Sequence, residues 1–432
     1  TVLGFGLYYS APGGTVIAKA GQNIPEKQYI VGMESEDQME KLEEEKAECI
    51  GSEEINANGE DNLKENKMIP LALTEEEAEE LTEVPGVEFV EEDVCVRASN
   101  VSLWKEKTVH KKKIKIVKEN KSKIEWNIRM IHADKQVTKK KTKKKNRVRI
   151  VVLDSGVDYG NDIDIDPSKT ISLVPGESEI TPLFMDGTGH GNSVAGLIAA
   201  RDNGKGITGI NPNAEVISIR VLDDNNSSPL SRVIEGIYMA IREEADIINM
   251  SFGVDVCSEA LEQAVRDAEQ AGILLVAAAG NTGDKGVQYP AAFDEVMAVG
   301  SVDQYGDIAK DSAVGDEVEI VAPGELVRST GFFDDELVSS GTSLAAPQVA
   351  AAASLIWEKD TDMPADFVRE LLNQSANGYG AKEKYGNGLL DTEYALENYN
   401  EFKKSYQKKE NLVANSDQLD IKQNNKSVIG FN

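Results

Sequence analysis

Four residues of this 432-residue chain have the side chains and the flanking sequences that one catalytic site would need. Ser343 follows a glycine-led turn in SSGTSLAAPQV and opens a run of small apolar residues. A serine hydroxyl is a weak nucleophile and needs a base beside it. The chain holds three histidines: His110, His132 and His190. His110 lies in a lysine-rich stretch and His132 on a predicted surface helix. His190 stands between glycines in DGTGHGNSVAGLIAA, just before a helix. Flanking glycines let backbone approach closely and leave one edge of the imidazole open. Asp154 ends the strand-like run VVLD, where a partly buried carboxylate can hold a histidine Nδ1–H and set its tautomer. Asn281, after a strand in AAAGNTG, is an amide donor for a developing oxyanion. Together they supply orienter, base, nucleophile and oxyanion donor.

Such groups need rigid supports. RVRIVVLD (147–154) is a short run rich in β-branched residues, as buried parallel strands are. Helix GNSVAGLIAA, strand EVISIRVL, helix SRVIEGIYMAIREEA (231–245), strand DIINM, helix SEALEQAVRDAEQAG and strand ILLVAAAG follow. Ile234, Ile237, Tyr238 and Ile241 recur at amphipathic helical spacing. This alternation predicts an α/β fold, a three-layer parallel sheet with helices on both faces. In such sheets the site lies beyond the carboxyl ends of strands, and Asp154, Ser251 and Asn281 each follow one. The helix opened by Ser343 is apolar nearly all round and should be buried, its N-terminal N–H groups facing any oxyanion. Pro347 is tolerable in its first turn or so.

Charge divides the chain. Residues 21–97 carry 24 acidic and 6 basic side chains, residues 98–150 carry 19 Lys/Arg and 4 acidic, and the rest is acidic again. The overall formal charge of −29 argues against general nucleic-acid binding. The first block reads as a small α+β unit: strand QYIVGM (28–33), loop ANGEDN (57–62), a helix capped by Thr74 and Glu77, a Pro-Gly turn and a strand. The basic block (98–123 and the lysine run 139–146) reads as solvated linker, anion-binding patch or protease-sensitive joint. Three widely spaced cysteines (Cys49, Cys95, Cys257) form neither a disulfide framework nor a zinc pattern. Residues 1–20 are apolar and end in Ala18-Lys19-Ala20, which reads as a secretory signal segment or as an ordinary hydrophobic N-terminus. No later stretch is long and apolar enough to cross a bilayer. The tail 399–432 is polar.

VVLDSGVD, DGTGHGNSVAGLIAA, INMSFG, AAAGN and SGTSLAAPQVAAAASLIW resemble the subtilases, the subtilisin-like serine endopeptidases. The resemblance spans about 124–398. It implies a peptidase using Asp154, His190, Ser343 and Asn281, and it supplies the chain order Asp, His, Ser. It makes 21–97 a propeptide that assists folding and then inhibits, and 98–123 a linker with a processing region. It implies a substrate strand held between Asn226, Ser227 and Ser228 on one side and Ser251, Phe252 and Gly253 on the other. The pocket for the residue before the scissile bond would be walled by Ser251–Val254 and Ala278, Ala279 and Gly280, with Gln288 at its base. RDNGKGITG (201–209) resembles the family's calcium loop. Asn203 and the carbonyls of Arg201, Lys205 and Ile207 would then hold a structural Ca2+, with Asp162 or Asp164 as acidic partner. A plain turn is the other reading. Two departures stand out: Asn192 where the family has threonine, and Gln348 where histidine is common. Expected partners are polypeptide substrates, the chain's own propeptide and anionic cell-wall polymer, in a secreted or cell-surface setting. A processing protease for one partner peptide, and a catalytically silent binding module on the same fold, are the rival functions.

Overall fold

The computed structural model describes residues 10–11, 14–15, 27–39, 42, 60–99, 124–137, 147–158, 160, 162–165, 167–175, 186–332, 335–378 and 380–409. The expected signal segment (1–20, apart from two short paired pieces), Cys49, most of the basic joint, the 139–146 run and residues 410–432 lie outside them.

Seven parallel strands form the central sheet, in the order Ile320–Pro323, Val296–Val302, Leu274–Ala278, Ile247–Met250, Arg149–Asp154, Glu215–Arg220, Ile171–Ser172. Both faces are covered, so alternate residues of one strand serve different cores. Ile150 and Val152 pack with the helices His190–Ala199 and Thr342–Trp357. Val151 and Leu153 pack with Leu230–Arg242 and Glu259–Gln270. That two-sided burial is why these strands read as unbroken apolar runs. The expected three-layer α/β fold is what the chain adopts. No helix among the described residues is long and apolar enough to cross a membrane.

The first block is a separate small unit. Lys27–Met33 lies between Met68–Leu73 and Val87–Glu92, both antiparallel to it. The helix Glu75–Leu81 covers this sheet through Ala78 and Leu81. Its capping box is present in full: Thr74 Oγ1 accepts from Glu77 N, and Glu77 answers to Thr74 N.

Two boundaries differ from expectation. Residues 60–62, read as loop, open the helix Glu60–Glu65. Its polar start is stabilised from outside: Glu235 of the large unit accepts from Asn62 Nδ2 and Leu63 N. The break placed at 398 falls inside a helix over 392–409. Phe402 and Tyr406 stack on the buried Phe367, each with ring centroids 5.3 Å apart, and this anchors the continuation. His132 sits just past the helix Trp126–Met130, in a left-handed turn (φ 51°), and pairs with Asp391 at 2.9 Å.

Candidate active site

Asp154 is the last residue of Arg149–Asp154, an interior strand of the sheet, and His190 the first of the helix that follows a glycine turn. Gly189 has φ +81°, and a Cβ on Gly191 would lie 1.9 Å from Gly156 O. Backbone thus touches backbone beside the imidazole, which only glycine permits. His190 Nδ1 meets Asp154 Oδ1 at 2.6 Å, and both side chains are fully buried. Burial by itself would push His190 down. The charge and hydrogen bond of Asp154, with the charge of Asp186 behind it, outweigh burial and hold the imidazole above its ordinary value. His190 Nε2 is buried with no hydrogen-bond partner among the described residues.

Ser343 is the second residue of Thr342–Trp357, a helix buried along almost its whole length. Pro347 is the sixth residue, in the second turn rather than the first. Having no N–H, it leaves the Ser343 carbonyl without its helical donor. The Ser251 hydroxyl takes that place at 3.0 Å. The proline is therefore tolerated through a side-chain substitute. Gln348 also gains a structural account: it accepts from Asn127 Nδ2 (3.1 Å) and donates to Pro323 O and Leu344 O, tying three segments together.

Asn281 Oδ1 accepts from Thr342 N (3.0 Å) and Thr342 Oγ1 (3.1 Å). This orients the carboxamide with its Nδ2 end away from Thr342, and Asn281 lines the cleft beside Ser99.

The cleft holds a strand of the chain itself. Cys95–Ala98 runs antiparallel between Ser227–Pro229 and Phe252–Gly253. Ala98 N donates to Asn226 O (3.0 Å) and Ser99 N to Ser251 O (3.2 Å). The two expected substrate edges, 226–228 and 251–253, are thus both engaged by main-chain bonds. The docked segment reaches two residues beyond the boundary placed at 97. It ends with the Ser99 carbonyl 3.2 Å from Ser343 Oγ. A cavity of about 320 Å³ beside Ser99 is lined by Gly253, Asn281, Thr282 and Gln288 together with residues 225–227. Gln288 Nε2 donates to Asp255 Oδ1 (2.7 Å), and its N–H to Ala279 O (2.9 Å). Ala278 and Ala279 are buried, and neither lines the cavity.

Upstream of this strand, two carboxylates of the small unit cap helices of the large one. Asp93 accepts from Ser231 N (2.9 Å) and Ser231 Oγ (2.6 Å), at the start of Leu230–Arg242. Glu91 accepts from Ser258 Oγ and Glu259 N, at the start of Glu259–Gln270.

In the loop 201–209, Asn203 Nδ2 donates to Asp162 Oδ1 (2.8 Å), Asn203 Oδ1 accepts from Lys205 N (2.8 Å), and Arg201 pairs with Asp164 (2.7 Å). Among the described residues no group of three His, Cys, Asp or Glu side chains is placed to hold a metal ion. Cys95 and Cys257 are exposed free thiols.

Sequence reasoning passed over Ser155, Asp158, Asp186 and Thr188, which surround the Asp154–His190 pair. The one signal for Asp186 was its place four residues before His190 in DGTGH.

A buried Asp–His pair, a serine at a helix start and a peptide strand laid across it at the carboxyl edge of a parallel sheet define a serine endopeptidase. The chain belongs to the subtilase family, which it matches over residues 145–388. Among its relatives, a thermostable alkaline protease of Halalkalibacterium halodurans is 43% identical over 245 residues, 57% of this chain and 66% of that protein. Subtilisin DY of Bacillus licheniformis is 40% identical over 278 residues, 63% of this chain and 99% of that protein. An alkaline protease of Alkalihalobacillus alcalophilus is 33% identical over 386 residues, 88% and 93% of the two chains.

Proposed function

We propose that Ser343 attacks the peptide carbonyl carbon while His190 Nε2 takes its proton. Asp154 holds Nδ1–H and stabilises the imidazolium. Asn281 Nδ2 and the Ser343 N–H receive the oxyanion. His190 then passes the proton to the departing amine, and water repeats the sequence on the acyl-enzyme. The Nδ1 contact of 2.6 Å and the burial of the pair support these roles.

The chain is further proposed to be a secreted zymogen whose residues 21–99 are a propeptide and which cuts itself after Ser99. One observation carries this reading: a strand hydrogen-bonded on both sides ends with its carbonyl 3.2 Å from the nucleophile. Intact mass over time, for full-length wild type and Ser343→Ala, tests it. Shortening of the wild type alone, to a chain starting at Asn100 or further along the joint, is expected. Equal shortening of both would refute self-processing.

Calcium is the proposed ion for the 201–209 loop. Asp162 is buried beneath it, and a Cβ on Gly206 would come within 2.7 Å of Asp162 Oδ2. Asp162, the Asn203 carboxamide oxygen and the carbonyls of Arg201, Lys205 and Ile207 are hard oxygen donors. Taking the ion requires Asn203 to turn its oxygen toward Asp162. Its chemistry there would be a structural tether, remote from the reaction. The lysine run 139–146 is proposed as a contact for anionic cell-wall polymer, tested by salt-sensitive retention of the mature enzyme on an anionic resin.

A further inference from the structure

Behind the Asp154–His190 pair lies a second buried carboxylate. Asp186 is 3% exposed. Its Oδ1 accepts from Ser155 Oγ (2.8 Å), Thr188 N (2.9 Å) and Thr188 Oγ1 (3.1 Å), and its Oδ2 from Asn192 N (2.9 Å). Burial, with the charge of Asp154, pushes this carboxyl above its ordinary value, while the N–H groups of Asn192 and Thr188, which can only donate, and the Ser155 hydroxyl favour its ionised form. Among the described residues no cation pairs with it.

Ser155 Oγ also lies 3.1 Å from Asp154 Oδ1, the oxygen that His190 Nδ1 meets. One hydroxyl proton therefore stands between two carboxylates and serves one at a time. The same oxygen accepts from Gly191 N (3.0 Å), and His190 N donates to Thr188 Oγ1 (3.1 Å). Asn192 completes a ring. Its Oδ1 accepts from Asp158 N (2.7 Å), its Nδ2 donates to Asp158 Oδ2 (2.8 Å), and Asp158 Oδ1 accepts from Asp186 N (2.9 Å). A threonine at 192 has no carboxamide to span both the N–H and the carboxylate of Asp158. The departure from the family pattern is thus built into this network.

We propose that Asp186 is a positioning residue for the triad: it clamps the turn carrying His190 against the loop that follows Asp154, and keeps a second negative charge beside the imidazole. This rests on the reading of Asp154, His190 and Ser343 as a triad. The charged groups around the pair are Asp154 at the strand end, Asp158 on the loop after it, Asp186 on the helix-leading turn, and Arg220 on the adjacent strand. Arg220 is engaged elsewhere, by Ser155 O and, at 2.9 Å, by Asp224. Removing Asp186's charge therefore leaves the imidazolium less stabilised.

The test reads His190 directly. With three histidines in the chain, its ring resonance in full-length Ser343→Ala protein is identified by its loss in His190→Ala. Asp186→Asn in that background is expected to lower the His190 titration by roughly 0.5–1 pH unit. In the active chain it should move the acid limb of kcat/KM down by the same amount and reduce kcat roughly 10- to 100-fold. A folded Asp186→Asn protein whose His190 titrates as in its parent overturns the proposal. If that variant does not fold, Ser155→Ala decides. It removes a donor from Asp154 while keeping both charges, and is expected to raise the titration; an unmoved or lowered value overturns the proposal. Failure of the triad reading would show separately, as activity surviving in Ser343→Ala.

Discussion

The grip of the small unit on the large one rests heavily on Glu91 and Asp93, and Glu91→Ala/Asp93→Ala should release it. Each carboxylate accepts from an N–H at the start of a helix, and losing such a cap costs about 1–2 kcal/mol. Two caps on separate helices add nearly independently, about 2–4 kcal/mol, which weakens docking roughly 30- to 1,000-fold. Burial is the larger influence on both carboxyls and pushes them above the ordinary range, against the hydrogen bonds from Ser258 and Glu259 and from Ser231. Groups raised in the complex favour it when protonated. Their contribution is full below the ordinary carboxylate range and is lost as pH rises through the raised values. Release should therefore quicken from acid toward neutral pH. Glu91→Gln/Asp93→Asn, which keeps an acceptor on each helix, should flatten that dependence. The assay follows fluorophosphonate labelling of Ser343 after dilution of the self-cut complex, across pH. Wild-type release kinetics in the double alanine variant, or an unchanged pH dependence in the amide variant, would refute the reasoning.

Ser343→Ala or His190→Ala should lower kcat by about 10⁶, and Asn281→Ala by roughly 10²–10³; both figures are those of subtilisin itself, carried over to this chain and checked by single-turnover peptide cleavage. His190 must be neutral to act, and its proton affinity is raised, so kcat/KM should fall as pH drops through a value above the ordinary histidine range. A profile whose acid limb lies below that range would contradict the assignment. Chelation by EGTA should lower the Tm of wild type and leave Asp162→Ala unaffected, as read by calorimetry. Ser251→Ala should strand the Ser343 carbonyl that Pro347 leaves without a donor, costing about 1–3 kcal/mol of stability in thermal unfolding.

The catalytic candidates were legible because each carries its own local mark. Asp154 ends a β-branched run, His190 sits between glycines, and Ser343 opens an apolar helix. The sheet was legible from two-sided burial, which turns strands into unbroken apolar stretches. What escaped depends on partners distant in sequence. Ser251 answers Ser343 across 92 residues, and Glu235 caps the start of Glu60–Glu65 across more than 170. Asp186 looked like any acidic loop residue, since its burial and its bond from Ser155 exist only once the 155–158 and 186–192 segments meet. The continuation to 409 rests on two aromatic residues, too few to raise the apolar content of a polar tail.

Cys95–Ala98 is a middle strand, bonded along both edges. An edge strand can peel away one hydrogen bond at a time. A middle strand must give up two ladders together or slide out lengthwise. If Ser99 ends the first product, that product stays in the cleft with its new carboxylate beside the nucleophile. The enzyme's first turnover would then be its slowest to finish, governed by product departure rather than by bond cleavage. Every later substrate, lacking the anchors at Glu91 and Asp93, would leave the same cleft faster.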